Sequence, residues 1–213
     1  MLAAGALEMA RDAQDRAALE RIASERAAIA DQRPKDAAAQ YAAALAAAHT
    51  AEVALEKRDK GAAQRAADSG IRYAERAVAL DPGNAEHHRV LGTLCGQVIP
   101  ANVLAGLKYG RRAQEAINRA IELDPKSAQA HLARGIGNYY LPAFMGGGVE
   151  LALKDFRKAS ELDRTLADAH LWLGLALRKL NRNAEARHAF AQSLKLNPRR
   201  LWAKEQLDKT PAQ

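Results

Sequence analysis

Three histidines, His88, His131 and His170, recur at 43- and 39-residue intervals, and histidines repeated in this way could in principle ligate a metal. Each stands in a different helix-forming segment, so packing is the expected role. His87 beside His88 adds nothing, because adjacent helical residues face different directions. The single cysteine, Cys95, has no CxxC partner and no neighbour that would activate it, and is expected to be a small buried residue. The run Gly146-Gly147-Gly148 could cradle a phosphate with its amides. It lacks both the following Lys-Ser/Thr and the preceding strand of a nucleotide loop, so it reads as a tight turn. Carboxylates are many, but none are spaced as a buried acid/base pair. No catalytic residue, metal ligand or cofactor site is expected, and enzyme function is not the expected reading.

The elements that carry these residues are helices. Alanine dominates the 48% apolar content, aromatics are only 5%, and Glu, Lys, Arg and Leu are frequent, which favours helix on propensity. Four segments end alike: Ala77-Val-Ala-Leu-Asp-Pro82, Ala120-Ile-Glu-Leu-Asp-Pro125, Ala159-Ser-Glu-Leu-Asp-Arg164 and Ser193-Leu-Lys-Leu-Asn-Pro198. Their Asp/Asn positions are 43, 39 and 34 residues apart, the period of a stacked helical repeat. Each ending is a last helical turn, stopped where proline cannot continue it. Asn84, Ser127 and Thr165 stand where N-caps are wanted.

The last unit, Ala167–Pro198, resembles a tetratricopeptide repeat through Leu173-Gly174, Ala186, Phe190 and Pro198. The unit before it supplies Gly135, Ala152, Phe156 and Ala159, with Arg164 in the proline slot. The one before that supplies Leu91-Gly92, Ala113, Ile117, Ala120 and Pro125, and a degenerate unit ends with Tyr73, Ala77 and Pro82. Gly92, Gly135 and Gly174 are expected to let the helices of a hairpin nearly touch, with Phe156 and Phe190 wedged between neighbouring hairpins. The resemblance implies an all-α, right-handed solenoid of stacked antiparallel hairpins. One domain over 1–213 is expected, with N-terminal helices and a degenerate repeat in 1–63, the best repeats in 64–198, and a single C-terminal helix and tail in 199–213.

The longer spacings mark two insertions. Val103, Leu104 and Leu107 are expected on a short extra helix within 96–110. Pro142 should end a first helix, after which Phe144 and Met145 either fold over the hairpin or fill its groove. Insertions of this kind resemble those of periplasmic repeat proteins such as the T-component of TRAP transporters, which implies solute handling beside a substrate-binding protein.

In the tetratricopeptide family the first helix of each hairpin lines a concave groove. Carried onto this chain, that geometry implies Glu86, Arg89, Thr93 and Gln97 from one helix. Gln129, Leu132, Ile136, Tyr139 and Tyr140 come from the next, and Asp168, Leu171, Leu175, Arg178 and Lys179 from the last. An apolar middle with polar flanks suits a partner peptide or helix. Arg89 and Thr93 do not reproduce the Lys/Asn set with which chaperone-binding members hold a peptide carboxylate. The expected function is therefore a protein-interaction or assembly scaffold. Two alternatives stand beside it: head-to-tail self-assembly through Leu201 and Trp202, and an exported accessory protein binding a small ligand.

The formal charge is +7, and Thr165–Gln213 carries nine Lys/Arg against four Asp/Glu. With no basic block interleaved with aromatics, solvated helix faces are expected rather than nucleic-acid binding. No stretch approaches the roughly 18 apolar residues of a membrane span. The compartment is the cytosol as written, or the periplasm or exterior if a leader was removed before Met1.

Overall fold

The computed structural model describes residues 5–101 and 104–212, apart from the side chains of Ala105 and Leu107. Every element among them is helical. The helices are α1 (Ala6–Asp12), α2 (Arg16–Gln32), α3 (Ala37–Glu56), α4 (Lys60–Leu80), α5 (Ala85–Val98), α6 (Ala105–Leu123), α7 (Ala128–Tyr140), α8 (Val149–Leu162), α9 (Ala167–Lys179), α10 (Asn183–Leu196) and α11 (Leu201–Asp208). Short 3-10 turns occupy Ile99–Ala101 and Ala143–Met145. The helices pack as antiparallel hairpins of the tetratricopeptide type, and they form two compact units, Met1–Pro125 and Lys126–Gln213.

In the first unit α3 is the central helix. It buries alanines around its whole circumference (Ala39, Ala43, Ala44, Ala46, Ala47, Ala48, Ala51, Ala54), as a helix enclosed on all sides must. Helices α2, α4 and α5 all pack on it. Small side chains permit this crowding. A Cβ on Gly70 of α4 would stand 2.7 Å from both Ala47 of α3 and Leu94 of α5. Short polar caps start the helices: Asp15, Asp36 and Asp59 accept from Ala18, Ala39 and Ala62, and Asn84 from Glu86. The end of α2 is closed by the buried Gln40 of α3, which donates to the carbonyls of Ala30 (2.6 Å) and Arg33 (3.2 Å). Helix α2 is tied to α4 at both ends, by Arg16–Asp59 (3.0 Å) and by the Tyr73 hydroxyl donating to Asp31 (3.1 Å).

In the second unit the hairpins α7/α8 and α9/α10 share one core of Leu132, Leu153, Phe156, Leu171, Trp172, Leu175, Leu177 and Phe190. Each buried Leu or Phe contributes about 1.5–3 kcal/mol of transfer free energy. The Phe156 ring fills the space beside Gly135, and Phe190 that beside Gly174. Both rings therefore sit inside their own hairpins rather than only between them, although Phe156 also reaches Trp172 of the next hairpin at 6.1 Å.

Several expectations are corrected. Among its described residues the 96–110 insertion forms no separate α-helix: a 3-10 turn occupies Ile99–Ala101 and α6 begins at Ala105, so the extra residues lengthen the second helix of that hairpin. Val103 and the Leu107 side chain lie outside the described residues, and Leu104 is exposed. Thr165 does not cap α9, because its amide and hydroxyl both donate to Asp163 (2.8 and 2.7 Å), and Leu166 takes the cap position. The N-terminal helices α1 and α2 are separated at Gln14, which has φ +53. Ser127 and Asn84 do cap their helices.

Candidate functional site

The first-helix residues expected to line a groove divide between the two units. In the first unit, the polar residues of α5 are engaged by α3. Arg89 makes a two-pronged ion pair with Glu86, with guanidinium–carboxylate distances of 2.8–3.0 Å, and the Tyr41 hydroxyl of α3 donates to Glu86 at 3.3 Å. Burial, more than any neighbouring charge, raises the Tyr41 pKa above the usual phenol value. Gln97 donates to the Ala48 carbonyl of α3 at 3.0 Å. The Thr93 hydroxyl and the Gln97 amide oxygen are buried without a hydrogen-bond partner among the described residues. This helix face is thus a polar helix–helix contact.

The second unit presents an accessible face. Leu132, Leu171 and Leu175 are core residues and support it from beneath. Above them Trp172 is the hub of an aromatic cluster. Its indole meets Tyr139, Tyr140 and Trp202 edge-on, with ring centroids 5.7, 6.0 and 5.4 Å away. Tyr139 and Tyr140 also meet at 5.1 Å and 90°. Tyr139 is half-buried, and burial pushes its phenol pKa up, whereas Tyr140 is 65% exposed. Lys179 stands over the Tyr139 ring (4.3 Å) and donates to the Tyr139 carbonyl at 2.9 Å, which fixes the end of α7 against α9. Ile136 is half-buried in the core below, and Gln129 is exposed at the start of α7.

Sequence reasoning missed Trp172. It stands seven residues before Lys179, two helical turns along the same face, and that spacing could have found it. Behind the face, Asp155 of α8 is buried and held by α7. Arg134 reaches it with guanidinium–carboxylate distances of 2.6–3.2 Å, and Asn138 donates at 2.9 Å. His131 is buried nearby, 3.9 Å from the same carboxylate. His88 and His170 are only half-buried. In the first unit it is His87, beside Tyr41 at 5.3 Å, that takes the packed position.

The Pro142–Gly148 loop continues this end of the unit. Met145, Gly146 and Gly147 donate to the carbonyls of Pro142, Ala143 and Pro142, and Gly148 donates to that of Asn138. Gly146 and Gly148 have φ of +86 and +116, which glycine adopts freely. Gly147 is buried so close to Leu141 that a Cβ would stand 2.3 Å from its carbonyl oxygen. Phe144 and Met145 do not fold over the hairpin or fill a groove: they are 90% and 58% exposed on the tip of this locked loop.

Arg178 and Asp168 turn toward α11. Arg178 donates to Gln206 and Thr210, and Arg200 lies 3.4 Å from Asp168. Trp202 of α11 is packed on Trp172, while Leu201 remains partly exposed. Among the described residues no three His, Cys, Asp or Glu side chains gather as a metal site requires, and no helix is long and apolar enough to cross a membrane.

Comparison with known proteins adds a family. Residues 6–141 match the family described as regulator of microtubule dynamics protein 1-3, and residues 167–200 match the tetratricopeptide repeat. No curated protein matches the chain in sequence. Among solved structures, the thermophilic TPR protein TTC0263 of Thermus thermophilus is similar with a TM-score of 0.61 at 19% identity, over 91% of this chain and 87% of that one. YrrB, a TPR protein with an unusual peptide-binding site, matches at 20% identity over 88% of this chain and 82% of its own, with a TM-score of 0.47. MamA matches at 22% identity over 71% and 90%, with a TM-score of 0.44.

Proposed function

Because the chain belongs to the regulator of microtubule dynamics protein 1-3 family and carries a tetratricopeptide repeat beyond the matched segment, we propose that it is a scaffold whose α7/α9 face holds a partner helix or peptide. Tetratricopeptide folds are typically non-enzymatic interaction scaffolds, and this chain shares that fold. The observation that carries the finer reading is Tyr140: a large amphipathic ring, 65% exposed, standing on Tyr139 and Trp172. An exposed ring already fixed by packing loses little conformational freedom on binding, which is why such aromatics anchor interfaces. The exposed Lys179 beside it suits a partner that brings a carboxylate to the rim of an apolar contact.

The family name ties its named members to microtubule dynamics, so tubulin polymer is the first partner to test. In co-sedimentation with microtubules, the full chain is expected to pellet. Tyr140→Ala should weaken that binding by about tenfold, with the helical circular dichroism unchanged. A wild-type chain that stays in the supernatant removes tubulin as the partner. Wild-type binding that Tyr140→Ala leaves intact moves the site off this face.

A further inference from the structure

The Pro142–Gly148 loop is closed by its own backbone and carries its two largest side chains outward. The Met145 and Gly147 amides donate to the Pro142 carbonyl at 3.0 and 3.1 Å, and the Gly146 amide to that of Ala143 at 3.0 Å. The Gly148 amide returns to the Asn138 carbonyl of α7 at 2.9 Å, so the loop begins and ends at the last turn of one helix. Asn138 is itself held by Asp155, to which its side-chain amide donates at 2.9 Å. Gly147 is buried against Leu141, which stops the loop from sinking toward the hairpin. Phe144 is nevertheless 90% exposed, more than any other large apolar side chain among the described residues, and Met145 is 58% exposed beside it. An apolar pair held out in this way marks a contact surface.

The tip is convex, so what covers it is either soft or hollow, and the residues behind it match a lipid surface. Where the loop leaves α7 stand Tyr140, 65% exposed, and the exposed Lys179, whose ammonium lies 4.3 Å from the Tyr139 ring and 2.9 Å from its carbonyl. At a membrane interface exposed Phe and Met side chains enter the acyl boundary, while Tyr and Lys keep their polar ends among the headgroups. Charge points the same way. Lys126–Gln213 carries fifteen Lys/Arg against eight Asp/Glu, so the whole formal +7 belongs to the second unit. The acids that flank the loop, Glu150 and Glu185, lie beside Arg182, which pairs with Glu185 at 2.6 Å. A positive unit is drawn to an anionic leaflet, a feature that an apolar pocket on a protein would not require. A loop already fixed also loses little freedom on entry.

We propose that Phe144 and Met145 form an insertion tip that seats the second unit on an anionic lipid surface. The two side chains enter the acyl boundary, and the positive charge of the unit draws it to the headgroups. Two side chains and a diffuse charge give reversible attachment, unlike a spanning helix. The inference goes beyond the partner-binding reading and does not need it, since it rests on the loop tip and not on Tyr140 as an anchor.

The test is flotation of the full chain with vesicles of equal phosphatidylcholine and phosphatidylserine, beside vesicles of phosphatidylcholine alone. The chain is expected to float with the mixed vesicles and several-fold less with the neutral ones. Phe144→Asp should lower the vesicle partition coefficient by about tenfold. Its helical circular dichroism should not change, because the ring is almost wholly outside the fold. Phe144→Trp should keep the binding, and brominated acyl chains should quench the fluorescence it adds. A wild-type chain that stays unbound overturns the proposal. So does binding that Phe144→Asp leaves intact, which would rest on charge alone. Equal capture by neutral vesicles overturns the choice of an anionic surface. None of these results alters the Tyr140→Ala outcome with a protein partner, so the two readings fail separately.

Discussion

The Phe190 ring lies 2.6 Å from the point where a Cβ on Gly174 would stand, and Phe156 has the same relationship to Gly135 at 2.5 Å. Each hairpin of the second unit is thus closed by a ring laid over a hydrogen atom. Gly174→Ala and Gly135→Ala are expected to destabilise by about 1–3 kcal/mol through overpacking. The reading is the urea midpoint at constant slope. Gly137, in the same helix as Gly135, has nothing within 4 Å of the point where a Cβ would stand, so Gly137→Ala should stabilise by about 0.5–1 kcal/mol.

Asp155 is a buried carboxylate held by Arg134 and Asn138. Asp155→Ala leaves the guanidinium and the amide without their acceptor. A loss of about 3 kcal/mol is expected in equilibrium denaturation. The double variant Asp155→Ala with Arg134→Met should recover part of it, and a purely additive double variant would refute the coupling.

His170 should make the protein acid-sensitive. Burial, and secondarily the charge of His188, lower its pKa below the ordinary histidine value. Below about pH 6.5 the unfolded chain therefore binds a proton that the folded chain resists, and stability falls as pH drops. Above that window both states are neutral at this site and it contributes no slope. His170→Gln is expected to flatten the decline in thermal midpoint as pH falls below about 6.5. A histidine titration followed by NMR checks the direction independently.

Cys95 is fully buried, and burial pushes its thiol pKa up to about 11. Iodoacetamide at mildly alkaline pH should leave it unmodified in the folded chain and label it completely in denaturant, as read by intact mass. Rapid labelling of the native chain would show that the α5 region opens readily.

Much of the fold was written locally. The proline-ended turns, the Asn84 and Ser127 caps and the Gly–aromatic pairs depend on residues close in sequence or one helix apart, and the repeat period exposed them. Thr165 failed as a cap because Asp163, two residues away, offers its amide and hydroxyl a nearer acceptor. Position along a helix was legible too, since Tyr139 and Tyr140 stand together at the end of α7, with Ile136 packed on the core below them. What covers each face was not. Leu171 and Leu175 share a helix with exposed Lys179, yet they are core because α7, α8 and α10 close over them.

The C-terminal helix shows the same division. Its start after Pro198 and its Trp202 could be read from the chain, and they suggested a free end open to stacking. Whether that end was free depended on Arg178, Arg187 and Asp168, which lie 20–32 residues upstream of the C-terminal atoms they hold. In the same way α5 carries residues of groove-lining type that α3 occupies. The helices, their stops and the close approach within hairpins are legible along the chain, because propensity, capping and glycine sterics act over one or two turns. Which faces remain open is settled by packing, because exposure at a residue is set by helices that its own stretch of sequence does not encode.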